Sequence, residues 1–311
     1  IAIGDNAGQC IQGSTIGNAI AIGTNAGYTG QYYNTVAIGY NAAQYSQHAF
    51  SIAIGYNAGQ VVQGLGAAGT QAGNSIAIGT LAGSNELGAS GKDYCIDIGF
   101  YSGYYGQETG GIAIGYQSQY QYAKAHSIAV GYQSGYNLQG YDGAIAGSCS
   151  IAIGYQAGRD IQAYNSIAIG QGAGNNSQKP NSIAIGYNSG AITQGTQSIA
   201  IGNSAGQTNQ AQTAIAIGVS AGAGTQGTQA IAVGNLAGTA NQGTQSIAIG
   251  NSAGQTNQAQ TAIAIGVSAG ARTQGTNAIS IGNLAGNANQ GTQSIAIGNS
   301  AGQTNQAQTA I

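Results

Sequence analysis

The sequence predicts an all-β chain wound as a parallel β-solenoid, a β-roll of about eighteen 16-residue coils. Three observations carry this. An Ile/Val-x-Ile/Val-Gly tetrapeptide recurs along the whole chain, starting at Ile1, Ile20, Val36, Ile52, Ile76, Ile96, Ile112, Ile128 and Ile151, and then at every sixteenth residue to Ile311. Of the eighteen intervals, fourteen are 16 residues long, and the others are 19, 24, 20 and 23. Finally, Gly is 56 of 311 residues while charged residues are 4 % and Pro180 is the sole proline, which excludes an ordinary globular domain and a collagen helix alike. A fixed period means that each unit stacks on its neighbours to bury an apolar face.

We number each coil from its first Ile. Positions 1–3 alternate with period 2 and read as a strand carrying both isoleucines on one face. That face is expected to point inward. Gly at position 4, present in every coil, permits the bend that ends the strand. Ala or Ser at position 7 is expected to point inward from a second short strand, and Gly, Asn, Gln and Thr fill the return. No 3.6-residue stripe supports a helix. Position 2 is Ala in sixteen coils, with Asp97 and Ser280 as exceptions. On this reading Ala faces outward, where a solvated strand would favour Thr, Lys or Glu. Small residues there predict the close approach of another chain.

The stretch SIAIGNSAGQTNQAQTA occurs unchanged at 198–214, 246–262 and 294–310. In a solenoid each side chain meets its own copy above and below, so identical polar residues can form hydrogen-bonded ladders. Blocks 199–246 and 247–294 differ only at Gly224/Arg272, Gln229/Asn277, Ala232/Ser280, Val233/Ile281 and Thr239/Asn287, the mark of tandem duplication. The chain reads as one continuous solenoid in two segments. Residues 1–198 are Tyr-rich with loop insertions, and 199–311 are highly regular with a 48-residue super-repeat.

Composition removes several function classes. Five Lys and Arg scattered over 311 residues cannot neutralise a nucleic-acid backbone. No apolar run approaches a membrane span of about 20 residues. Cys10, Cys95 and Cys149 show neither a disulfide framework nor metal spacing and are expected to pack in or near the core. No metal or cofactor is expected. Gly202-Asn203-Ser204-Ala205-Gly206 fits the nucleophile elbow, but that device needs a later His base, and His48 and His126 both come earlier. The chain is therefore expected not to be an enzyme.

Tyrosine is the informative residue. All nineteen lie at or before Tyr187. Tyr40, Tyr56, Tyr116, Tyr132, Tyr155 and Tyr187, with Phe100 among them, occupy position 5 and fall on one face just past the Gly bend. Such a column can support the coils or offer rings and hydroxyls to a sugar, and it is the candidate ligand-binding face. The four long coils are expected to extrude loops, which carry Glu86, Lys92, Asp93 and Asp142.

The segments SIAIGYNAGQ (51–60), SIAIGTLAG (75–83) and SIAIGNSAGQ (198–207) resemble the YadA-like head repeats of trimeric autotransporter adhesins, and the similar repeats of phage and giant-virus fibre shafts. The resemblance implies a left-handed β-roll, a homotrimer, display on a cell or virion surface, and a role in attachment to surface glycans or a host receptor. The 16-residue period is somewhat longer than is usual for the bacterial heads. A structural filament or sheath assembled by end-to-end stacking is the alternative, since strands begin at both Ile1 and Ile311.

Overall fold

The computed structural model describes residues 1–12, 17–63, 73–84, 94–141 and 149–311. It divides into two compact units, 1–165 and 166–311. Each is a parallel β-solenoid, with no helix among the described residues. In the second unit nine leading strands, from Ile167–Ile169 to Ile295–Ile297, follow one another at the 16-residue period. Each pairs in parallel with the next in strict register, as Ile199↔Ile215, Ala200↔Ala216 and Ile201↔Ile217 show. Short return strands such as Thr208–Gln210 form the second side of the coil, pairing Gln194 with Gln210.

The first unit keeps this register across coils of unequal length. Ile52 pairs with Ile76 and Ile128 with Ile151, so extra residues in a coil do not shift the pairing. The expected loops, with Glu86, Lys92, Asp93 and Asp142, lie outside the described residues.

The strand faces are the reverse of the sequence expectation. Ala200, Ala216 and Ala248 at position 2 are fully buried inside their own solenoid, whereas Ile217 and Ile249 at position 3 are 38 % and 39 % exposed. Position 1 isoleucines such as Ile199 are half-buried on the same outer face. The close partner of Ala at position 2 is therefore its own coil, not another chain. Position 7 does point inward, as Ala205 and Ala221 show, but from a turn; the second strand comes later, at positions 10–12.

The reason is space. A Cβ built on Gly206, at position 8, would lie 2.8 Å from Gln210 Oε1 and 3.2 Å from the Ala200 methyl. An interior that has no room for one more methyl cannot hold isoleucine. Gly at position 4 is required for two reasons at once. Gly202 has φ +129°, and its added Cβ would stand 2.5 Å from the carbonyl oxygen of Gly218 in the next coil.

What fills the interior beside the alanines is glutamine at position 12. Gln178, Gln194, Gln210, Gln226, Gln258 and Gln274 are among the largest fully buried side chains. Gln210 Nε2 donates to the Ile199 carbonyl at 2.7 Å, to Ala214 O at 3.2 Å and to Gln226 Oε1 at 3.2 Å. The pattern recurs at Gln258, which donates to Ile247 O, Ala262 O and Gln274 Oε1. A buried amide is tolerable only when hydrogen-bonded. The glutamine's own coil supplies the two carbonyl acceptors and the stacked coil adds the third, while the buried Oε1 atoms of Gln178, Gln194, Gln210 and Gln242 have no partner among the described residues. Where Ser280 replaces Ala it enters the ladder, accepting from Gln274 Nε2 and donating to Gln290 Oε1. Asp97, also at position 2, is 3 % exposed between Ala77 and Ala113.

The cysteines divide. Cys95 is buried, with its thiol donating to Glu108 O, while Cys10 and Cys149 are exposed, contrary to the expectation of core packing for all three. Their places explain this. Cys95 takes the inward last position of its coil, a place held by Ser or Ala in most others. Cys10 starts a return strand, and Cys149 lies one residue before the inward Ser150.

Candidate functional site

Every position-5 aromatic side chain is exposed, from 41 % at Phe100 and Tyr132 to 52 % at Tyr56. Each projects beyond the Gly bend, and the parallel register places successive rings one strand spacing apart. In the first unit they form two stacks. Tyr40 and Tyr56 lie parallel, with centroids 5.5 Å apart. Phe100, Tyr116, Tyr132 and Tyr155 continue as a four-ring column with spacings of 5.3, 5.0 and 5.0 Å and interplanar angles of 7°, 6° and 6°. Thr80 holds position 5 between the two stacks. Tyr187, in the second unit, is 48 % exposed and has Gln171 and Asn203 at the equivalent places of the adjacent coils.

This geometry decides what the column can offer. Ring faces inside the stack are occupied by one another, so Tyr116 and Tyr132 present edges and phenol oxygens to solvent. Only terminal rings such as Tyr56 and Tyr155 have a face not covered by the next ring of the column. The column supports the coils through aromatic stacking of about 0.5–1.5 kcal/mol per pair, and it displays a line of hydroxyls.

A second aromatic column is less evident from the sequence. Tyr104, Tyr120 and Tyr136 share position 9 and stack at 5.4 and 5.0 Å. Tyr101 joins the columns, meeting Phe100 edge-on at 4.4 Å and Tyr104 at 4.7 Å. Burial pushes the Tyr120 phenol above its ordinary value, and Tyr136, Tyr105, Tyr104 and Tyr101 add to the rise. The signal was present as tyrosines spaced 16 apart.

On the return side of the same unit, Glu108 and Lys124 hold position 13 of consecutive coils. Lys124 Nζ donates to Glu108 Oε1 at 2.7 Å, Ala125 N donates to Glu108 Oε2 at 3.3 Å, and the ammonium lies 5.8 Å from the centroid of Tyr141. Gly106, Tyr122, Ala123, Leu138 and Tyr141 complete a pocket of about 240 Å³ around this pair. His48 and Tyr32 likewise share position 13 and stack at 5.0 Å. Ser204, the serine of the elbow-like motif, donates its hydroxyl to Asn203 Oδ1 at 2.9 Å.

Fold and surface together define a repeat-built β-solenoid with an outward apolar strand face and aromatic columns on its flank. The repeats are of a known kind: the family described as YadA head domain repeat (2 copies) matches residues 162–189, 177–205 and 226–253, and those stretches carry YadA head repeats. No curated protein and no solved structure matches the chain.

Proposed function

We propose that the chain is a segment of a homotrimeric, non-enzymatic fibre on a cell or virion surface, and that it contributes to attachment. The observation that carries this is the outward isoleucine face. In the second unit positions 1 and 3 form two columns running through nine coils, and Ile169, Ile185, Ile217, Ile249, Ile265 and Ile281 are 36–39 % exposed. A contiguous apolar surface of this kind marks an interface. A second and third copy of the same chain offer the same period and the same columns, so they match it along its whole length. The YadA head repeats within residues 162–253 support surface display and adhesion. No helix among the described residues is long and apolar enough to cross a membrane.

Sedimentation equilibrium tests the assembly. The expected species has three times the 30.5 kDa chain mass, and Ile201→Lys with Ile217→Lys is expected to reduce it to a monomer that keeps its β-sheet spectrum. A wild-type monomer at all concentrations overturns the trimer. Binding of the intact chain to host cells or matrix tests attachment, and self-association without such binding favours the structural filament.

A further inference from the structure

We propose that the pocket between Glu108, Lys124 and Tyr122 is a binding site for a single neutral pyranose ring, such as the terminal hexose of a surface glycan. The inference deepens the attachment reading and rests on it for its biological partner.

Charge is scarce in this chain, at twelve Asp, Glu, Lys and Arg in 311 residues. Two of these are set side by side in one pocket with two tyrosines. Their arrangement leaves hydrogen-bonding capacity unspent. Glu108 Oε1 accepts from Lys124 and Oε2 from Ala125 N, and each oxygen keeps a further acceptor site. Lys124 uses one of its three ammonium protons on Glu108. A donor and an acceptor 2.7 Å apart suit a pair of adjacent sugar hydroxyls, each able to donate to the carboxylate and accept from the ammonium.

The apolar side of the pocket suits the other face of such a ring. Tyr122 is 56 % exposed and lies over Gly106, where an added Cβ would come within 3.2 Å of its Cδ1. Glycine there lets the ring lie close to the coil with its outer face open. Unlike the rings of the two columns, Tyr122 is stacked on no other ring among the described residues. Leu138 extends the apolar floor in the next coil. A pocket of about 240 Å³ falls below the range of about 300–1,000 Å³ that holds drug-sized ligands, which limits the occupant to one ring. The pair brings no net charge, so an acidic sugar would set its carboxylate beside Glu108 without a free cation to meet it.

Saturation-transfer NMR on the whole chain tests this, using methyl β-galactoside, methyl β-glucoside, methyl α-mannoside and a sialylated trisaccharide as probes, with cell attachment measured in parallel. A neutral hexoside is expected to bind. Tyr122→Ala and the conservative Glu108→Gln are each expected to weaken it at least tenfold, while Gln212→Ala, on an exposed turn of the second unit, leaves it unchanged. Attachment without a hexoside signal, or with one that survives both pocket substitutions or is lost in Gln212→Ala, overturns the pocket and leaves the attachment reading standing. Failure of the intact chain to bind either hexosides or cells overturns both.

Discussion

Gln119 Nε2 donates to Gln139 Oε1 at 2.7 Å inside the first unit, although the two residues hold different places in the repeat, the eighth and the twelfth. Gln119 also accepts from Gln107 at 2.7 Å. Its own coil has Ala123 at position 12, where glutamine is the rule, and Gln119 at position 8, where glycine is the rule. The two departures compensate. The amide enters the interior from the neighbouring turn, and the ladder passes from Gln107 through Gln119 to Gln139 without a break.

Gln119→Gly is accordingly expected to lower stability by about 1–3 kcal/mol, because the flanking buried amides lose their partner. Ala123→Gln alone is expected to cost a similar amount by overfilling the interior. The double substitution restores the regular pattern and should recover most of both losses. Urea melts of the four chains give the coupling energy, and simple additivity would refute the exchange of places.

Gly202→Ala is expected to cost on the order of 3 kcal/mol. The backbone sits at φ +129°, and the new methyl meets the Gly218 carbonyl oxygen at 2.5 Å, so conformational and steric strain act together. Gln212→Ala, on an exposed turn, should stay within about 0.5 kcal/mol. Equal melting temperatures for the two variants would contradict the stacking of glycines from coil to coil.

How much of this was legible beforehand depends on the element. Ile52↔Ile76 shows that the tetrapeptide ruler predicts pairing even across a long coil. The facing of Ala200 and Ile201 was not legible from alternation alone, which separates two faces without saying which is inside. Placing the larger apolar group inward is the ordinary expectation, and a coil this narrow defeats it. The deciding signs were glycine at position 8 and the recurrent glutamine typified by Gln210, a large polar side chain at a fixed place. Tyr116 and Tyr132 were placed on one face by their spacing, but whether their planes face each other or solvent depends on side-chain torsions that spacing does not carry. The Glu108–Lys124 pair could have been read from its separation of 16 residues.

The position-9 column makes an alkaline prediction. The Tyr120 phenol ionises above its ordinary value in the folded chain, chiefly through burial, whereas the unfolded chain ionises near about pH 10. The stability tied to this group is therefore fully present below about pH 10 and is lost as pH rises through the raised folded value. Tyr120→Phe keeps the ring stacked on Tyr136 and removes the titration. Melting temperatures taken from about pH 8 to about pH 11 should fall less steeply for the variant, and parallel curves would show that Tyr120 is not the group responsible.

The assignment of faces can be tested with two neighbouring residues. Ala216 is fully buried, in register with Ala200 and Ala232, and a Cβ on Gly222 would already lie 3.3 Å from its methyl. Ala216→Val adds two methyls to a filled interior and is expected to destabilise the chain by about 1–3 kcal/mol. Ile217 is 38 % exposed, and Ile217→Ala should cost the dissociated chain less than about 1 kcal/mol, because much of that side chain never leaves water. Both are measured at concentrations where the chain does not self-associate. At higher concentration the order changes, since Ile217→Ala removes apolar surface from the proposed interface while Ala216→Val leaves that surface untouched. Sedimentation should then show weaker association for the isoleucine variant alone. A chain that tolerated valine at 216 but unfolded with alanine at 217 would return isoleucine to the core and refute the outward face.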